Sequence, residues 1–223
     1  NNEESELEER FVDLLQRDFK AKHNSDFEEL IENGFKKYRL TLIEHDHRIC
    51  YEIWPQNLGY YLTGVKYTTR PDYLFKCVSL TIDGVAQTFE LVQVIKDIVI
   101  YLDGYKFHAT AENKRVLGDL KIRDAITVSG RYHQWVFSWK DIVNLAKTDD
   151  SFFRQINFEA IGRIAPKHPL LKSFDLSLIK NHNSYSRFCI FLKQPLFNYD
   201  IKLWSSITLF SAQSKLLINA WQL

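Results

Sequence analysis

Methionine is absent from all 223 residues, and cysteine (three), proline (five) and glycine (eight) are sparse. So few Gly and Pro beside 14% aromatic residues exclude collagen-like and low-complexity disordered chains, which carry the opposite balance. Net charge is nearly absent as well, with 29 basic against 28 acidic side chains. Any nucleic-acid partner must therefore be met by a local basic face, because the whole molecule supplies no steering field. Long apolar runs are missing too. The best of them, Ile98 to Leu102, falls far short of the roughly 20 residues a bilayer-spanning helix needs.

Cys50, Cys77 and Cys189 are too widely and unevenly spaced for a CxxC zinc clip or a disulfide framework. They read as buried free thiols of a reducing, cytoplasmic protein. The chain opens Asn1-Asn2-Glu3 without a basic or apolar leader, and with no Met it reads as a piece of a longer protein, not as a processed secretory one. Size and 45% apolar content suffice for one domain with a real core, or one with a small appendage.

Periodicity organises what is there. Ser5 and Glu8 form an S-x-x-E capping box ahead of Leu7, Phe11, Leu14, Leu15 and Phe19 at helical spacing. Asp26 as cap, Phe27, Leu30 and Ile31 on one face and Gly34 as stop predict a second, short helix. From Tyr38 the period becomes two, and Tyr38, Leu40, Leu42 and then Ile49, Tyr51, Ile53 predict a hairpin around the polar break Glu44 to His47. Beyond a loop through Thr68 and Thr69, Tyr73 to Leu80 reads as a strand, and Asp83-Gly84 turns the chain towards another around Thr88 to Val94. The β-forming run at Asp97 to Asp103 predicts a strand buried on both faces. A helix is expected from about Asn113 to Ser129 with Gly130 as its stop, then a strand at Gln134 to Phe137, and a Ser138/Asp141 capping box before Ile142 and Leu145. Past Lys147 the pattern is mostly helical, broken at Pro166, Pro169 and Pro195. The expectation is an α/β fold, a mixed sheet flanked by helices over residues 1–147, with a helical C-terminal extension at 148–223.

Five polar positions stand out. Asp72, after Pro71, begins one apolar strand, and Asp103, before Gly104, ends the most apolar one. His108 follows five residues later, and Asp119 and Arg123 share a helix face. A carboxylate at the mouth of a buried strand is costly unless something positive binds it. Two on adjacent strands suit Mg²⁺ (or Mn²⁺), which takes hard oxygen ligands and keeps waters for exchange with phosphate. A metal-bound water then serves as nucleophile, with His108 as base or phosphate ligand. Taken singly, each has a plainer use: Asp72 and Asp103 as turn residues, His108 as a hydrogen-bonded structural histidine, Asp119 with Arg123 as a surface ion pair.

The succession Pro71-Asp72-Tyr73-Leu74-Phe75, Ile98 to His108, Asp119 to Arg123 and Gly130 to Trp139 resembles the very-short-patch-repair endonuclease branch of the PD-(D/E)XK nuclease superfamily. The resemblance covers about residues 1–147. It implies a restriction-endonuclease-like core and a metal-dependent DNA endonuclease or nickase. Asp72 would be the central metal-binding carboxylate, Asp103 the second acidic position, and His108 the catalytic-region His. Glu8, or failing it Glu9, would be the acidic residue of the N-terminal helix. The superfamily's lysine is missing, since Tyr105 stands two residues after Asp103 and Lys106 one further on, and the repair enzymes' zinc ligands are missing too. A similar core ends large bacterial DEAD/DEAH-class helicases, including anti-phage defence systems, so the remainder of such a protein is an expected partner besides DNA. Arg115, Lys121, Arg123 and Arg131 form the candidate DNA-binding patch. The alternatives are a catalytically inactive nuclease-like fold that binds DNA or docks within a larger machine, and a protein adaptor using the aromatic tail around Trp204 and Trp221.

Overall fold

The computed structural model describes residues 2–103, 116–138, 141–142 and 184–193. Helix α1 (Asn2–Phe19) precedes strands β1 (Ser25–Glu32), β2 (Phe35–Glu44) and β3 (His47–Pro55). After a 3₁₀ turn and a long loop come β4 (Tyr73–Ile82), the two-residue β5 (Val85–Ala86), helix α2 (Phe89–Val94) and β6 (Ile98–Asp103). Helix α3 (Val116–Ser129), β7 (His133–Ser138) and helix α4 (Ser184–Leu192) complete the described elements. The strands form one seven-stranded sheet in the order β1-β2-β3-β4-β6-β7, with β5 on β4. All pairs are antiparallel except β6 with β7, whose parallel register demands the crossover that α3 supplies. An α/β fold with a mixed sheet flanked by helices is therefore what the chain adopts.

Three expectations are corrected. Residues 26–34 form a strand and a turn, not a helix: Ser25 and Phe27 are buried while Asp26 and Glu28 are exposed, the period of a strand. Asn33 (φ 52°) and Gly34 (φ 79°) are both left-handed, which closes a two-residue hairpin into β2. Thr88 to Val94 is not a strand, because β5 ends at Ala86 and Phe89–Val94 is helical. The Asp83-Gly84 turn itself is as expected, at φ 50° and 71°. Ser5 lies within α1, so it does not cap that helix. The hairpin β2–β3, the strand from Tyr73, the doubly buried β6 and the stop at Gly130 are all present. Asp141 caps as expected, its carboxylate taking the Ser138 N–H at 2.7 Å and hydroxyl at 2.8 Å while its own N–H donates to Ser138 Oγ at 3.3 Å.

Alternation along the strands divides the sheet into two unequal faces. Tyr38, Leu40, Leu42, Ile49, Tyr51, Ile53, Tyr73, Phe75, Ile98, Ile100, Leu102, Trp135 and Phe137 turn to one side and meet α1 and α4. Rings dominate there: Phe188 of α4 lies 5.5 Å from Phe75, 5.5 Å from Phe137 and 5.3 Å from Trp135, and Phe11 of α1 lies 5.4 Å from Phe137. The Tyr51 hydroxyl donates to the Leu192 carbonyl at 2.9 Å, tying α4 to the middle of the sheet. On the other side Leu74 and Val99 pack with Ile126 of α3 and Leu62 of the long loop into a much smaller cluster.

Candidate functional site

Asp72 stands at the mouth of β4, between β6 and the 3₁₀ turn that follows β3. Its N–H donates to Ile100 O at 3.0 Å, its carbonyl accepts from Gln56 N at 2.8 Å, and its carboxylate oxygen Oδ2 accepts from Leu102 N at 2.6 Å. Pro71 before it has no N–H to satisfy and is buried at the strand mouth. A carboxylate that receives a backbone N–H in this way fastens the end of β6 to β4, a structural task that the Pro-Asp dipeptide conceals.

Asp103 closes β6 on the α3 face, because side chains alternate and Tyr101, two residues earlier, packs there. Arg123 of α3 donates from Nη2 to Asp103 Oδ1 at 2.5 Å, the two side chains being only 14% and 23% exposed. The same guanidinium lies 5.9 Å from the centre of the Tyr101 ring, whose hydroxyl shares a 2.8 Å hydrogen bond with Thr69. Burial pushes the Tyr101 phenol up to about 12, with the charges of Asp72 and Asp119 adding to it against the Thr69 bond and Arg123. Burial, and after it Asp72, holds Tyr60 above the ordinary phenol range, and its hydroxyl donates to Trp54 O at 3.0 Å. Asp72, Asp103, Asp119, Arg123 and Tyr101 therefore form one electrostatic neighbourhood at one end of the sheet.

The other expected residues are distributed as follows. Glu8 belongs to α1, on the opposite face; its carbonyl accepts the Tyr73 hydroxyl at 3.1 Å. Burial first and the Glu8 charge second raise the Tyr73 phenol, and Tyr38 and Asp72 contribute as well. Glu9 is exposed. Lys121 and Arg131 are exposed on α3 and just after it, whereas Arg123 is committed to Asp103. His108 and Arg115 lie outside the described residues, as do Trp204, Trp221 and the proline breaks of the tail.

Among the described residues no group of three or more His, Cys, Asp and Glu side chains is placed to hold a metal ion. The chemistry of the Asp72 and Asp103 donors nevertheless fits Mg²⁺, which needs only one or two protein carboxylates and completes its shell with water and substrate phosphate. What the sequence did not foretell is that Arg123 already supplies a positive charge to Asp103. Its i+4 spacing from Asp119 pointed along the helix, while the pleat placing Asp103 beneath α3 pointed across it.

Other reactive groups are muted. All three cysteines are free thiols, Cys50 buried and the others partly so. Burial raises Cys50 and pushes Cys77 and Cys189 up to about 12, which disfavours the nucleophilic thiolate form. His133, edge-on to Phe191 at 5.1 Å, is lowered to about 4 by burial and by Lys96, so it is neutral at pH 7. Among the described residues no helix is long and apolar enough to cross a membrane. No family model matches this sequence, and neither a curated protein nor a solved structure matches it.

Proposed function

We propose that the chain is a Mg²⁺- or Mn²⁺-dependent DNA nuclease domain of the PD-(D/E)XK type, similar to the very-short-patch-repair branch. What supports this reading is that two strand-end carboxylates, Asp72 and Asp103, both belong to the α3 side of the sheet, where alternation sets Asp72 with Leu74 and Asp103 with Tyr101, and that Arg123 pairs with Asp103. Asp72 and Asp103 would hold the ion, which supplies a water acidic enough to act as nucleophile near neutral pH. The Leu102 N–H steadies Asp72 in its ionised form by a charge-assisted hydrogen bond. Arg123 orients Asp103, and a guanidinium at such a place is suited to a phosphate oxygen. Water would add to phosphorus as the bond to the leaving sugar oxygen breaks, its proton passing to a base, the role proposed for His108, while the departing oxygen takes up a proton from solvent.

One observation favours a second reading. Asp103 is already neutralised by Arg123 in a largely buried pair, an arrangement that is complete without an ion. A nuclease-like fold that binds DNA or docks without cleaving it would have the same pair.

Nicking of supercoiled plasmid in Mg²⁺ or Mn²⁺ by the wild type, Asp72→Asn and Asp103→Asn tests both readings, with calorimetric Mn²⁺ titration beside it. Loss of nicking in both variants supports the enzyme. Equal residual nicking in all three proteins marks contamination and removes the proposal. Absent ion binding with DNA affinity intact selects the binder.

A further inference from the structure

The loop leading into Asp72 combines tyrosines with basic residues. Between Glu52 and Asp72 there is no acidic residue, while Lys66, Arg70, Tyr60, Tyr61 and Tyr67 all fall there. Its neck closes where Leu62 N donates to Thr69 O at 3.1 Å, with Leu62 buried against Leu74, Val99 and Ile126. Tyr61 and Arg70 flank that neck, and the guanidinium lies 5.7 Å from the ring centre. At the tip, the Lys66 ammonium lies 5.4 Å from the centre of the Tyr67 ring. Both rings are nevertheless open, Tyr61 at 55% and Tyr67 at 37% exposure.

The loop is also held from beneath. The Tyr132 hydroxyl accepts from Thr63 N at 3.0 Å and donates to Thr63 O at 3.2 Å. The Arg131 side chain lies across Gly64, a left-handed residue (φ 70°) where any Cβ would collide with the guanidinium. Thr69 is fixed to Tyr101. Exposed aromatic rings on a fixed support lose little entropy when they bind.

We propose that loop 59–70 is a platform for single-stranded nucleic acid, with bases stacking on Tyr61 and Tyr67 and backbone phosphates meeting Arg70, Lys66 and Arg131. Open rings paired with cations serve unstacked bases and their phosphates, and paired duplex bases offer no face to them. This deepens the nuclease reading, since the neck and the Arg123–Asp103 pair meet at Tyr101, but the binding itself needs no ion.

Fluorescence anisotropy in EDTA with labelled oligothymidine of about 15 nucleotides tests it. The Tyr61→Ala/Tyr67→Ala variant should bind at least about 5-fold more weakly, because a stacked base is lost at each ring. Tyr61→Phe, which keeps the ring, should bind as the wild type does. Arg70→Ala should make the salt dependence shallower by about 0.7 in logarithmic slope. Unchanged oligothymidine affinity in the double alanine variant overturns the proposal. So does equal binding of a blunt duplex with the same losses, and so does a defect confined to phosphatidylserine vesicles, which would assign the loop to an anionic lipid surface. Failure of the nuclease reading registers separately, as unaltered nicking by Asp72→Asn with this binding intact.

Discussion

The two faces of the sheet are built differently. The face beneath α1 and α4 is thick and aromatic, with Phe11, Phe75, Trp135, Phe137 and Phe188 interlocked. The face beneath α3 has few apolar residues, and around them stand Asp72, Asp103, Arg123, Thr69 and Tyr101. Stability is concentrated on the first, which frees the second to hold charges near one another, an arrangement that does little for folding by itself. The candidate chemistry occupies the thin side.

This contrast can be broken most severely at Phe188. It is fully buried among four rings, and Phe188→Ala should cost about 3–5 kcal/mol in urea unfolding. A loss below about 1 kcal/mol would show that α4 is not part of the cooperative core. The next effect is acid sensitivity on the same face. His133 has a folded pKa of about 4 against an ordinary 6.5, so below pH 6.5 the unfolded chain takes up a proton that the native one refuses. The stabilisation is fully present above pH 6.5 and is lost as pH falls towards 4, by about 2 kcal/mol between pH 7 and 5. His133→Gln should flatten that slope; an unchanged slope would assign it to other groups. The smallest effect belongs to the thin face. Asp72→Asn retains an oxygen for the Leu102 N–H, so unfolding should shift by less than about 1 kcal/mol. Loss of nicking in the same variant would separate the charge of Asp72 from its stapling role, whereas gross destabilisation would show that the charge itself holds the strands.

Much of this was legible in the sequence where one period prevailed. Tyr38–Leu42, Ile49–Ile53 and Ile98–Leu102 announce their strands because burial on that side is strict. Misreading set in where two signals overlapped. Phe27, Leu30 and Ile31 fit a helical face, but Ile31 is 76% exposed and Asn33-Gly34 is the stronger, local determinant. Val85 to Val94 is rich in β-formers, yet Phe89, Leu91 and Val94 stay exposed while Val92 alone is buried. The candidate site was legible as two carboxylates at strand ends. Its partners were not, because the Asp103–Arg123 contact spans a crossover and the Asp72–Leu102 bond joins a side chain to a backbone 30 residues away. No local pattern encodes such pairs.

The bond from Tyr51 to the carbonyl of Leu192 bridges 141 positions of the chain. Tyr51 is already buried in the sheet, so its hydroxyl finds that acceptor only after residues 184–193 have been synthesised and have docked. Until then Phe11, Phe75 and Phe137 lack the ring of Phe188 that fills the space between them. Closure over so long a loop is entropically slow, which places the last packing step late in folding and late on the ribosome. A nascent or truncated chain ending near Lys147 would expose an aromatic floor to water, to chaperones or to another copy of itself.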